Sequence, residues 1–374
     1  VSELHYDLMD LSVGAPAIRT PRSASDAAIS AILAGHTTYT PRRGIPELLA
    51  AIRFKFDRVN GVAFTEDEIF VGAGAKHVLF CLLSAILKPG DEVVVPSPHY
   101  VGYPGLVRRA GGVPVFVDVR AEPDQVLGVA ALAKVLGPRT RAVILNTPSN
   151  PTGAVIPAAR LRELGTCVRA HSDAYIISDE LYETFVYEGE HTSIASMSEF
   201  AAATIVVNGV SKTYGMTGWR IGYAGGPADV IQHAVTIQAE LSNCPSSIGQ
   251  WAGWGAITDP EASTETVAVQ RARRDRAVAA LQGLPGVDVS PPSGGIYLFA
   301  DLTHVGRDPG DPRAPLPPGE FVDFAEAVHG VRLGAGAKFG APHHARLTFA
   351  IDDDVLDEGL TRISEAVAEV YRKP

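Results

Sequence analysis

Lys212 stands in the segment Ser211-Lys212-Thr213-Tyr214-Gly215-Met216-Thr217-Gly218-Trp219-Arg220, between two apolar runs, Thr204 to Asn208 and Ile221 to Ala224. A primary amine at a turn between two strand-like runs is presented by rigid scaffold and can condense with an aldehyde to form a Schiff base. Ser211 and Arg220 flank it, and a hydroxyl with a guanidinium fork is a donor set that holds phosphate. An aldehyde that also carries a phosphate is pyridoxal 5′-phosphate (PLP). A lone lysine in a glycine-rich turn is more simply a surface group. The reading therefore depends on the other groups that such a cofactor needs.

Several of them are spread along the chain. Asp179 ends the apolar run Tyr175-Ile176-Ile177-Ser178, where an acid without a partner is costly. Set against the ring nitrogen of PLP, it would keep that nitrogen protonated and the ring an electron sink. Tyr182, three residues on, can reach the phenolic oxygen of the same ring. The simpler alternatives are a helix cap for Asp179 and a core aromatic for Tyr182. Asn146-Thr147-Pro148-Ser149-Asn150-Pro151-Thr152-Gly153 is a double-proline turn. The proline after Asn150 holds its backbone extended, so its amide can be presented to a fixed acceptor. Gly72-Ala73-Gly74-Ala75-Lys76-His77 joins a strand to a helix, and N–H groups at a helix start suit a phosphate. Two nucleotide readings fail on spacing: His77 stands where a dinucleotide fingerprint needs glycine, and no Gly-Lys-Ser/Thr closes a longer loop.

The elements that must position these groups follow an α/β rhythm. Apolar runs at Ile69 to Val71, Glu92 to Val95, Val113 to Val117, Ala142 to Leu145 and Tyr175 to Ser178 alternate with helical stretches, Lys76 to Leu87 and Ala158 to Ala170 among them. Uninterrupted, β-rich strands of this kind predict a mostly parallel sheet covered by helices on both faces. Ligands of such sheets sit outside the carboxyl ends of the strands, where the candidate residues fall. After about residue 270 an Arg-rich helix leads to a strand at Gly294 to Phe299, a Pro/Gly/Asp-rich loop from Asp308 to Gly319, a strand at Ala345 to Ala350 and a final amphipathic helix. The expected division is a large domain over 40–268 and a smaller α+β domain from 1–39 and 269–374.

Composition bounds the function. At 374 residues, with 46% hydrophobic and 20% charged residues, the chain reads as an ordinary soluble globular protein of two domains. No apolar run reaches the length of a membrane span. A net charge of -10 argues against nucleic acid as a partner. Three separated cysteines, Cys81, Cys167 and Cys244, suggest neither a disulfide framework nor a metal site, and cytoplasm is the expected compartment. No metal-like histidine spacing occurs.

The ordered set resembles a fold type I, PLP-dependent aminotransferase of class I, in the branch of bacterial aspartate/prephenate-type enzymes, from about Leu11 to the C-terminus. The Asn-Pro-Thr-Gly turn, the Ser-Asp-Glu-x-Tyr strand end and the Ser-Lys-x8-Arg spacing carry the resemblance. It implies that Lys212 holds PLP as a Schiff base and shuttles the substrate Cα proton. It further implies that Asp179 pairs with the pyridine nitrogen, that Asn150 and Tyr182 bond the ring oxygen, and that Tyr100 stacks on the ring. Gly74, Ala75, Ser211 and Arg220 match the phosphate cup, and Tyr39 matches a tyrosine that reaches the phosphate of the neighbouring subunit. Arg346, with the Gly14 backbone beside it, matches the clamp on the substrate α-carboxylate. A homodimer with shared active sites is expected from this, as is transfer of an amino group between an L-amino acid and a 2-oxo acid.

The sequence also departs from the pattern. Gly209 replaces a serine that many relatives use as a phosphate donor. The sequence opens close to Gly14, which leaves open how the site is covered. No arginine obviously matches the one that reads a side-chain carboxylate in the other branch; Lys76 sits where some enzymes of this branch place a lysine for that purpose. A PLP-dependent lyase or cyclase acting at Cβ or Cγ shares Lys212, Asp179 and Arg346 and is the alternative. A PLP-sensing regulator would need an added DNA-binding domain, for which no room is expected before Gly14.

Overall fold

The computed structural model describes residues 7–263, 266–306 and 318–372. Of the Pro/Gly/Asp-rich loop expected from Asp308 to Gly319, residues 308–317 lie outside the described residues. Seven strands form the larger sheet: β1 (Ile69–Gly72), β2 (Glu92–Ser97), β3 (Val113–Asp118), β4 (Thr140–Asn146), β5 (Tyr175–Asp179), β6 (Thr204–Gly209) and β7 (Gly222–Gly225). Their order is β1-β7-β6-β5-β4-β2-β3. Only β7 runs antiparallel to its neighbours, β1 and β6; the other pairs are parallel.

Burial on both faces explains the continuous apolar runs. Val93 and Val95 of β2, Ile144 of β4, Ile177 of β5 and Val207 of β6 pack with Val78 and Leu82 of the helix Ala75–Ile86 and with Ile231 of the helix Ala228–Ser242. Their neighbours one residue along, Val94, Val143, Leu145 and Ile176, pack on the other face with Leu161 and Leu164 of the helix Ala158–His171. The two-residue period of a strand sends successive side chains to opposite faces, so each face must be apolar.

A second, three-stranded antiparallel sheet pairs Gly334–Ala335 with His344–Thr348 and that strand with Tyr297–Asp301. Helices Pro318–His329 and Asp353–Arg372 belong to its surroundings. Two strand expectations shift here. The one read from Gly294 begins at Tyr297, because Ser293 and Gly294 are already paired with the segment around Val186 and Tyr187. The one read to Ala350 ends at Thr348; the chain then turns, and the Ala350 carbonyl accepts from the Ala17 N–H. Met9–Asp10 pairs in parallel with Val331–Arg332 as a separate two-stranded sheet, and the Leu11 carbonyl then accepts from the Thr348 N–H of the three-stranded one.

One edge of the larger sheet matters most. The carboxyl ends of β1, β4, β5 and β6 lie there, at Gly72, Asn146, Asp179 and Gly209. Because β7 runs the other way, it begins at the same edge with Gly222, two residues after Arg220.

Candidate active site

A cleft at this edge is lined by Ala75, Lys76, Tyr100, Tyr103, Asn150, Asp179, Tyr182 and Lys212, together with Leu79, Asn146 and Leu181. Asp179 closes β5 and is buried. Its Oδ2 accepts from the Tyr103 hydroxyl at 2.7 Å, and its Oδ1 takes a longer bond of 3.3 Å from the Leu181 N–H. Burial pushes its carboxyl up to about 6, against the pull of the Tyr103 bond and the Lys212 charge. A buried acid without a cation in bonding reach is thus held near its titration point.

Asn146, at the end of β4, shapes the turn that follows. It donates to the Asp179 carbonyl at 3.0 Å and accepts from the Asn150 N–H at 2.7 Å. Asn150 is thereby fixed, with Nδ2 donating to Tyr182 Oη at 3.3 Å and Oδ1 accepting from Arg346 Nη1 at 3.1 Å. Tyr182 also shares a hydrogen bond of 3.2 Å with the Tyr297 hydroxyl.

Lys212 lies two residues after Val210, just past β6, and its amine donates to the Gly14 carbonyl. Burial pushes the amine down to about 8, helped by the positive charges of Arg346 and Arg220 and opposed by Asp179. Near neutral pH a fraction of it is therefore the free base, the form that attacks a carbonyl.

The glycine-rich turn brings a cation to a helix start. Gly74 has φ of 90°, and a Cβ there would run into the Arg220 guanidinium. Arg220 is itself left-handed, with φ of 56°, and its Nη1 donates to the Thr217 carbonyl at 2.8 Å. The helix Ala75–Ile86 begins beside it, and Gly222 leaves its first N–H room, since a Cβ at 222 would strike Ala75 N. Ser211 is buried next to Lys212. Backbone donors and a guanidinium at one helix N-terminus form an anion cradle.

Arg346 comes from the second sheet. Its Nη2 donates to the Ser12 carbonyl at 2.6 Å, and its guanidinium lies 4.1 Å from the Tyr297 ring centre and 4.7 Å from that of Phe339. Its Nε is buried without a hydrogen-bond partner. Lys76 is exposed, with Nζ 5.7 Å from the Tyr100 ring centre. Tyr39 is not brought to the cleft; it is 84% exposed. Gly209 cannot be exchanged freely for the serine of many relatives, because a Cβ there would meet the Ile221 carbonyl at 3.0 Å.

The sequence reading overlooked Tyr103, Tyr297, Phe339 and the Ser12 carbonyl. Tyr103 carried a usable signal: it follows Tyr100 by three residues and precedes Pro104, at a helix start. The donor set as a whole fits PLP. It combines an amine of lowered basicity, a buried acid for a ring nitrogen, an anion cradle whose glycine admits no side chain, and an arginine with an unsatisfied N–H.

Comparison with known proteins gives a consistent result. The family model for aminotransferase class I and II matches residues 6–363. The aspartate/prephenate aminotransferase of Thermus thermophilus is 40% identical over 366 residues, which is 96% of this chain and 91% of that protein. Among solved structures, the aspartate aminotransferase of Rhizobium meliloti superposes with a TM-score of 0.91 at 37% identity, covering 96% of this chain and 91% of the other. The Thermus thermophilus aspartate aminotransferase with maleate gives 0.89 at 39% identity, over 96% and 92% of the two chains.

Proposed function

The chain belongs to the aminotransferase class I and II family, and on that premise we propose that its preferred amino donor is dicarboxylic and that the residues at the sheet edge carry the reaction. It is a PLP-dependent aminotransferase, moving an amino group between an amino acid and a 2-oxo acid. The relatives do not favour the lyase or cyclase alternative. Bound PLP supplies the electron sink that makes the substrate Cα proton acidic.

In this reading Lys212 would hold the cofactor through its amine, and the same amine, once free, would move the proton between the substrate Cα and the cofactor C4′. Its lowered basicity suits both tasks. Asp179 holds the proton on the ring nitrogen, and Asn150 with Tyr182 orients the ring through its phenolic oxygen. Tyr100 covers one ring face. Gly74, Ala75, Ser211 and Arg220 bind the phosphate. Arg346 grips the α-carboxylate through its fork, with Gly14 beside it. The two carbonyl and amide contacts that Arg346 makes in the free site keep its plane fixed before substrate arrives.

Lys76 is the observation that carries the substrate proposal. It is an exposed ammonium at the cleft wall, over the Tyr100 ring, at the first turn of a helix whose N-terminus already favours anions. A distal carboxylate of aspartate or glutamate is the complementary group. Steady-state kinetics with a panel of amino donors tests this: kcat/KM for the acidic donors should exceed that for neutral ones. Equal values for alanine, phenylalanine and aspartate would overturn it.

The same reading includes a homodimer in which the partner's copy of Tyr39 reaches the phosphate. Ile29, Ile32, Leu33 and Tyr39 are each more than half exposed, an apolar strip that a second copy would cover. It also includes a large PLP-binding domain over 40–268, with 1–39 and 269–374 forming the smaller one; the pairing of Met9–Asp10 to Val331–Arg332 supports this for the first residues, whereas Ala24 and Ala28 of the helix Arg22–Leu33 pack with Leu48 and Ala252 of the larger unit. Cytoplasmic residence belongs to the same reading and is supported by three free cysteines; among the described residues no helix is long and apolar enough to cross a membrane.

A further inference from the structure

Tyr103 opens the helix Tyr103–Arg109, and its hydroxyl donates to Asp179 Oδ2 at 2.7 Å. Both residues are buried, at 2% and 5% exposure, so water does not compete for the bond. Among the described residues no other side chain bonds Asp179. The tyrosine ring is fixed in turn: it meets the Tyr100 ring edge-on at 5.3 Å and packs with Val107 and Ile177 in the core beneath the sheet edge. A phenol held this rigidly selects one orientation of the carboxylate.

We propose that Tyr103 is a positioning residue for Asp179, fixing its rotamer and holding it ionised so that it can face the cofactor's ring nitrogen. The proposal rests on the reading of Asp179 given above. Burial without compensation drives a carboxyl toward its neutral form, which could no longer hold a proton on the nitrogen. A donor to Oδ2 favours the anion, while Oδ1, with only a long backbone bond, keeps a lone pair in reserve. The phenol stays a donor, because burial and then the Asp179 charge hold its own titration far above the usual value. The other ionisable groups around the pair are Lys212, whose charge also favours the Asp179 anion, Glu180, whose charge opposes it, and Tyr100 and Tyr182. Glu180 turns its carboxylate away, to Ser178 and Ser193 at 2.7 Å each.

The test uses the holoenzyme of Tyr103→Phe, Asp179→Asn and the double variant. Loss of a bond to a charged acceptor should cost roughly tenfold or more in kcat. The acid limb of the pH profile, and the acid side of a spectrophotometric titration of the bound cofactor, should move about one pH unit higher. On the Asp179→Asn background, Tyr103→Phe should change neither PLP affinity nor rate beyond about twofold, since no carboxylate remains to be held. An unmoved titration with equal losses on both backgrounds would overturn the role of Tyr103 and leave that of Asp179 standing. An Asp179→Asn enzyme of near wild-type rate would instead overturn the reading of Asp179, and this proposal with it. Should Tyr103→Phe fold poorly, Tyr103→His restores a ring N–H donor and should recover part of the loss; no recovery would count against the proposal.

Discussion

Arg346 and Asn150, 196 residues apart in the chain, are joined by a hydrogen bond of 3.1 Å from Nη1 to Oδ1. The bond links the second sheet to the turn after β4, and through Asn150 Nδ2 it continues to Tyr182. The group proposed to grip the substrate carboxylate is thus wired to groups proposed to orient the cofactor ring. A substrate that draws on Arg346 acts on a network that is already in place.

Arg346→Lys should therefore cost more than a loss of charge would suggest. A lysine keeps the positive charge but has no fork, and it cannot serve Ser12, Asn150 and a carboxylate together. A drop in kcat/KM of about ten- to a hundredfold is expected, mostly through KM, as for a lost bond to a charged group. Retention of the wild-type KM would show that the α-carboxylate is held elsewhere.

The Lys212 amine makes two predictions of one sign. Its basicity falls from 10.5 unfolded to about 8 folded. A depressed folded value means that ionised Lys212 opposes folding. The favourable contribution is complete only above pH 10.5, is lost as pH falls toward 8, and stays lost below that. In the cofactor-free protein Lys212→Met should raise stability to urea at pH 7 by about 3 kcal/mol, a difference that shrinks above pH 8. Capture of PLP by the wild-type apoprotein should speed up with pH through a midpoint near 8, where the amine becomes nucleophilic. A capture rate flat from pH 6 to 9 would contradict the assignment of this lysine.

Tyr39 tests the shared site. If its hydroxyl reaches the phosphate of the partner subunit, Tyr39→Phe should weaken PLP binding by about 1 kcal/mol or somewhat more, without changing the stability of the isolated fold. The readout is PLP release on dilution, followed with the oligomeric state by light scattering. Full activity from a monomer would dismiss both the tyrosine's role and the dimer.

How far the site was legible from sequence depended on where each residue's direction is decided. Asp179 ends an apolar run, and Asn150, Lys212 and Gly74 lie in the turns that directly follow one, so chain order alone places them at one sheet edge. Arg346 and Tyr297 are different. Arg346 pairs with Phe299 and Thr348 with Tyr297, so Tyr297 is the diagonal same-face neighbour of Arg346. That stacking follows from a register, and a register between segments some fifty residues apart leaves no local mark. Tyr103 likewise depends on how a short helix is turned against β5. Tyr39 lies at the other extreme: its motif is recognisable, yet within one chain it touches nothing in the cleft.

Lys76 is the residue on which the proposed substrate class rests, and its role can be tested directly. It stands at the second residue of the helix Ala75–Ile86, one position after the backbone groups proposed to hold the phosphate, with its ammonium over the Tyr100 ring. Two roles are open to a charge in that place. It can raise the potential around the phosphate, or it can meet the distal carboxylate of an acidic substrate. The first acts on the cofactor and hence on every substrate alike. The second acts on acidic substrates only. A single ammonium is a point charge without a fork, so its selectivity is modest and neutral amino acids remain poor substrates rather than excluded ones. Exposure to water weakens the pair further, to about 1 kcal/mol, or roughly fivefold. Lys76→Ala should then raise KM for aspartate and glutamate about fivefold and leave kcat and the aromatic donors nearly unchanged. Equal losses for acidic and aromatic donors, accompanied by weaker PLP binding, would assign Lys76 to the phosphate and remove the ground for a dicarboxylic preference.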